Sequence, residues 1–324
     1  MLSFENIDKK DVQKTIVGVV DGGDSDCHIL FLYDKHIESK KKNINTDFLY
    51  DIFNTNSKKN KITNYDLDIL KNAIQFEGKP KNLSLCGKYE EAKSKHDDIK
   101  NDITIYKGKF IPMPDLNKDR CVWSFNGSSG SGKSFLASMI VNEYQAIFPK
   151  NPVILFSRCE KDPAFDKMKL TRIDIDETIE SSDFTNLHDC LIIFDDIDTL
   201  PTVEIKKEEG IKAPKKITID LSKKIQRIRD DILEAGRKTK ISAICMSHQL
   251  FNYGKTRNML LESDYITFFN RGSGVNHIKR FLKSHVGCDK KIEDKILKMT
   301  SRWTLISMHT FPKYVLGENE AFII

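Results

Sequence analysis

A glycine-rich octet constrains this 324-residue chain more than any other stretch: Gly127, Ser128, Ser129, Gly130, Ser131, Gly132, Lys133 and Ser134. It follows a short apolar run (Val122, Trp123, Phe125) and precedes a stretch with helical periodicity. Strand, loop and helix in that order are the context the phosphate-binding pattern G-x-x-x-x-G-K-[ST] requires. Glycines let successive backbone N–H groups turn inward, and the N-terminus of the next helix adds its dipole to the same anion site. The octet is therefore expected to bind ATP, with Lys133 reaching the β- and γ-phosphates and the Ser134 hydroxyl ligating Mg2+.

Hydrolysis needs carboxylates as well. About sixty residues downstream, an apolar run from Cys190 to Phe194 ends in Asp195 and Asp196, the Walker B form. Asp195 is expected to hold Mg2+ through water and Asp196 to polarise the attacking water. A third element runs from Glu234 to Gln249: a helix end carrying Arg237, then a strand whose polar tip is Ser247, His248 and Gln249. His248 is expected to act as a sensor beside the γ-phosphate, or else as a hydrogen-bonded turn histidine. Arg237 is expected either to reach the ATP of a neighbouring subunit or simply to answer the helix macrodipole.

Composition sets the surroundings of this chemistry. Apolar residues make up 39% and charged residues 31%, as in a globular protein with a lysine-rich surface. No apolar stretch is long enough to span a bilayer, and the first ten residues lack a signal-peptide core, so a cytoplasmic protein without membrane contact is expected. The seven cysteines form no C-x-x-C pair, which argues for a reducing compartment without disulfides or zinc. The net charge of +5 is concentrated: residues 201–240 hold twelve Lys/Arg against seven Asp/Glu.

The pattern divides the chain into an N-terminal α+β region (1–115) and a P-loop ATPase domain with a C-terminal extension (116–324). In the first region, residues 15–20 and 28–33 read as a hairpin, 103–106 and 109–112 as a second, and 47–54 and 64–76 as short helices. In the second, near-continuous apolar runs at 153–156, 190–194, 241–246 and 265–269 alternate with helices. This predicts an α/β fold with a central, mostly parallel sheet sandwiched by helices. An amphipathic helix carries Leu221, Ile225, Ile228 and Ile232, preceded by a polar insert at 201–216. Helices near 276–284 and 290–299 lead to a C-terminal β-hairpin addition. An ASCE-type strand order is expected, in which a strand lies between the P-loop and Walker B strands; residues 153–156 are assigned that place.

Gly127–Ser134, the run Phe194, Asp195, Asp196, Ile197, Asp198, and Gly236-Arg237 followed by a strand ending Ser247-His248-Gln249 together resemble the FtsK–HerA superfamily of DNA-pumping ATPases. Within it, the similarity is to the genome-packaging ATPases of large DNA viruses and virophages, and it covers roughly residues 121–272. The resemblance implies a homo-oligomeric ring, pentamer or hexamer, that moves double-stranded DNA through its centre. It also implies a trans-acting arginine at Arg237, capsid or vertex proteins as further partners, and a place in the host cytoplasm, the viral factory or the virion. The family's sensor is typically Gln; here the matching position is His248, with Gln249 next.

Other residues remain in play. Arg158 and Arg271 end core strands and could clamp a small acceptor in a kinase-type phosphotransferase, the alternative to a motor. A low-turnover ATP-binding switch is the third reading. Lys206, Lys207, Lys212, Lys215 and Lys216 in the insert are candidates for sequence-independent phosphate contact, or for a plain surface loop. Arg302 and Trp303 suggest a cation–π pair in the C-terminal extension.

Overall fold

The computed structural model describes residues 1–4, 6, 12–22, 29–34, 102–207, 215–250, 253–270 and 273–324. The helices expected at 47–54 and 64–76, together with Lys212 and Arg271, lie outside them.

The chain begins with strands β1 (Leu2–Ser3), β2 (Lys14–Asp21) and β3 (Ile29–Tyr33), followed by β4 (Asp102–Thr104) and β5 (Lys109–Pro112). The P-loop unit is β6 (Val122–Asn126) and α1 (Lys133–Ile147), then β7 (Val153–Ser157), β8 (Thr171–Ile173) and β9 (Leu191–Asp195). A two-stranded ribbon, β10 (Thr202–Lys207) with β11 (Lys215–Asp220), leads into α2 (Leu221–Ala235) and β12 (Ser242–Ser247). Then come α3 (Tyr253–Glu262), β13 (Tyr265–Phe269), α4 (Val275–Phe281), α5 (Lys290–Lys298), β14 (Trp303–Ser307), β15 (Tyr314–Gly317) and β16 (Glu320–Ile323).

Among the described residues the main sheet has ten strands in the order β4-β16-β15-β14-β13-β6-β12-β9-β7-β8. From β13 to β8 the neighbours are parallel, and from β14 to β4 they are antiparallel. This is the ASCE-type order of a P-loop NTPase. The strand inserted between the P-loop strand β6 and the Walker B strand β9 is β12, however, and not residues 153–156. Those residues, in β7, lie on the outer side of β9 and are themselves covered by β8. Both runs are fully buried, so hydrophobicity does not separate a central strand from its outer neighbour.

Each parallel strand sends alternate side chains to opposite faces, and both faces are covered. Trp123, Phe125, Ile193 and Ile244 pack with Leu136, Ile140 and Val141 of α1. Val122, Ile192, Phe194 and Cys245 pack with Ile225, Ile228, Ile232 and Leu233 of α2. The antiparallel strands carry α4 and α5 through Phe268, Ile306, Phe281 and Ile296.

The first expected hairpin forms, with β2 antiparallel to β3. The second does not: β4 pairs with β16 of the main sheet, whereas β5 pairs with β2 of a small sheet ordered β1-β3-β2-β5. Each segment finds an open strand edge elsewhere, and the turn at residues 318–319 receives both, from Ile105 N–H (2.8 Å) and Phe110 N–H (2.7 Å). The small sheet shares a core with the ATPase: Val17, Val20 and Phe110 join Tyr314 and Leu316. The C-terminal addition is an antiparallel meander of β14, β15 and β16, and Arg302 there donates from Nε to Glu318 Oε1 at 2.9 Å. No helix among the described residues is long and apolar enough to cross a membrane.

Candidate nucleotide site

The loop between β6 and α1 is built on glycines at two positions that L side chains rarely adopt: Gly130 at φ 73° and Gly132 at φ 104°. Gly127 is needed for space, because an added Cβ would stand 2.8 Å from Ser131 Oγ and 3.0 Å from Phe269 Cδ2. Its N–H donates to the Ser247 carbonyl (3.0 Å), which fixes the loop to the tip of β12. Gly132 caps α1, so Lys133 and Ser134 open the helix.

Lys133 is 6% exposed and donates from Nζ to the carbonyls of Gly127 (2.7 Å) and Ser128 (3.1 Å). Burial pushes its pKa down, while the charges of Asp196 and Asp195 push the other way. The sheet brings these three together. β6 and β9 flank β12 in register, so the P-loop and the acidic pair end two strand spacings apart, about 10 Å.

Asp195, at the tip of β9, is 4% exposed and accepts a hydrogen bond from Ser157 Oγ (3.0 Å) at the tip of β7. Burial first, and then the Asp196 charge, push its pKa up to about 6; the Ser157 bond and Lys133 only partly offset them. Asp196 takes the left-handed conformation at φ 48° and starts a short 3-10 turn, Ile197–Thr199. His248 Nε2 lies 3.0 Å from Asp196 Oδ1. Ser131 Oγ in the loop is buried and has no hydrogen-bond partner among the described residues. A buried lysine and two carboxylates at one edge of the sheet, beside a loop hydroxyl left open, are a donor set that a phosphate and a hard divalent cation would complete.

Other contacts hold this arrangement. Asp198 accepts from Gln226 Nε2 of α2 (2.8 Å) and from Ser247 Oγ (3.4 Å), tying the turn after Walker B to two other elements. Gln226 and Ser157 had no sequence signal, since their roles depend on which strands are neighbours. Of the remaining candidates, Gln249 and Arg158 are exposed at this edge of the sheet. Arg237 is exposed in the turn before β12, at the opposite end of the sheet, a strand length or about 20 Å from the loop. Within one chain it makes no contact with the site.

No protein-family model matches the chain. Among solved structures, the genome packaging NTPase B204 of Sulfolobus turreted icosahedral virus 2, in complex with ATP-gammaS, aligns with 61% of this chain and 97% of that one. The identity is 11% and the TM-score 0.42. The N-terminal domain of zonular occludens toxin from Neisseria meningitidis aligns with 58% of this chain and 82% of its own, at 14% identity and a TM-score of 0.30. The assignment of the fold rests on strand order. In sequence, the chain is 33% identical over 238 residues to the uncharacterized protein V3 of Sputnik virophage, covering 72% of this chain and 89% of that protein. Similarity of that extent makes this P-loop NTPase fold a member of the virophage V3 family.

Proposed function

We propose that the protein is an Mg2+-dependent ATPase that assembles as a ring and translocates double-stranded DNA in viral genome packaging. The observation that carries the reading is the convergence of Lys133, Asp195 and Asp196 at one edge of the sheet. In this reading the loop N–H groups and Lys133 bind the phosphates, and Ser134 and Asp195 hold the metal. Bound Mg2+ would neutralise phosphate charge. Asp196, kept in place by His248, orients the attacking water and takes its proton.

The DNA part of the reading is supported by the motif resemblance and by the β10–β11 ribbon. Its register sets Lys206 opposite Lys216 and Lys207 opposite Lys215. A short ribbon carrying four lysines suits sequence-independent contact with a phosphate backbone. The ribbon follows the Walker B turn in the chain and so begins at the nucleotide edge.

The test is ATP hydrolysis with and without duplex DNA, together with oligomeric mass. Hydrolysis abolished by Lys133→Ala, stimulated by DNA, and losing that stimulation steeply as salt rises is the expected outcome. Phosphorylation of a small acceptor without DNA stimulation would replace the motor with a phosphotransferase.

A further inference from the structure

We propose that the N-terminal sheet forms one wall of the nucleotide site, closing a pocket for the nucleoside half of the triphosphate; this rests on the P-loop binding a nucleoside triphosphate. A cavity of about 400 Å3 opens beside Ser131 and Gly132. It lies on the β13–β14 side of the loop, whereas Asp195 and Asp196 lie on the β12–β9 side. A triphosphate that runs along the loop with its γ end toward the carboxylates therefore directs its other end into this cavity.

The lining suits a flat heterocycle and a sugar. Phe135, one residue beyond the P-loop and 57% exposed, faces the cavity with Phe269 and Trp303. Apolar pockets with a few polar groups at the rim are the usual form of small-ligand sites, and bases stack on aromatic rings of any orientation that presents a face. Among the described residues this phenylalanine, in the first turn of the phosphate-binding helix, belongs to no part of the buried core.

The opposite wall is Asp21 and Gly22 from the end of β2, with Gly108 before β5. It is fastened to the ATPase core: Lys109 Nζ reaches Glu318 Oε1 at 3.3 Å, the same carboxylate that Arg302 holds. Nucleotide occupancy and the seating of the N-terminal sheet are thus coupled through one cavity.

The experiment compares binding of ATP with binding of inorganic tripolyphosphate, which has no nucleoside. Two variants probe the two walls: Phe135→Ala removes the exposed ring, and Asp21→Trp fills the cavity from the N-terminal side at an exposed strand end. Each should weaken ATP by about tenfold or more and leave tripolyphosphate unchanged, with an unaltered melting temperature. Unchanged ATP affinity in both variants, or equal weakening of both ligands, overturns the pocket. Lys133→Ala is the separate control and should weaken both ligands; if it weakens neither, the P-loop assignment itself fails.

Discussion

Gly127 carries a steric duty that its place in the motif does not reveal. The atoms an alanine Cβ would meet are Ser131 Oγ at 2.8 Å and the Phe269 side chain at 3.0 and 3.1 Å. Phe269 is 2% exposed and cannot swing aside. Gly127→Ala should therefore cost about 1–3 kcal/mol in thermal or denaturant unfolding and reduce ATP affinity, because the loop must shift. Asp264 illustrates the opposite kind of residue, one with no motif at all. Burial alone would raise its pKa. Hydrogen bonds from His309 and Lys118, the Lys118 ammonium at 2.6 Å, and the Val122 N–H at 2.9 Å hold it below the usual value instead. A depressed carboxylate contributes stability above its unfolded pKa, and that contribution is lost as pH falls through the folded value. Asp264→Asn should then be less stable than the parent by about 1–3 kcal/mol at pH 7. The gap should narrow below about pH 4, where unfolded aspartate protonates, as read by melting at a series of pH values. The octet and Asp195-Asp196 could be read as candidates because their pattern is local: each motif is defined by residue identity at a fixed spacing. Ser157 beneath Asp195 and Lys118 beside Asp264 were not, because their partners are 38 and 146 residues away.

The elements themselves were legible to within a residue or two wherever apolar runs are bounded by polar turns, as for β9, β13 and α2. Their adjacency was not. Strands β7 and β12 read alike, since each is buried along its full length, and the choice of which one separates β6 from β9 is made by crossover connections that span the sheet. The insert after Walker B was legible as basic but not as a ribbon, because lysine is a poor strand former and the pairing is visible only in the register. That register permits a test that a loop would not. Lys206→Glu together with Lys215→Glu reverses the charge of one residue in each of the two register pairs, Lys206 with Lys216 and Lys207 with Lys215. DNA stimulation of hydrolysis should fall, and the salt dependence of DNA binding should become shallower, because fewer counterions are released. A stimulation unchanged by this double substitution would remove the ribbon from the DNA path.

At the scale of the whole molecule, the placement of Arg237 separates a solitary enzyme from an assembly. The parallel sheet has one chemically equipped edge, where β6, β9 and β12 end, and Arg237 sits where β12 begins. Moving it to its own P-loop would require unravelling the turn at 236–240, where Ile241 N–H holds the Gly236 carbonyl at 2.9 Å and Arg120 reaches back to the Leu233 carbonyl at 2.8 Å. Any contribution of this guanidinium to hydrolysis must then come from a second copy, whose opposite edge is presented to the first. Two defective chains make the test decisive. Lys133→Ala lacks a working P-loop but keeps Arg237, and Arg237→Ala has the reverse defect. Each alone should bind its neighbours, the first without hydrolysing ATP and the second hydrolysing it slowly with nucleotide affinity near that of the parent. Mixed in equal amounts, they create interfaces at which an intact P-loop meets an intact arginine, and part of the lost turnover should return. Steady-state hydrolysis across a series of mixing ratios would follow the number of such interfaces. An Arg237→Ala protein that is fully active by itself, or a mixture no faster than its components, would make this arginine a surface charge at a helix end and leave each site to act alone.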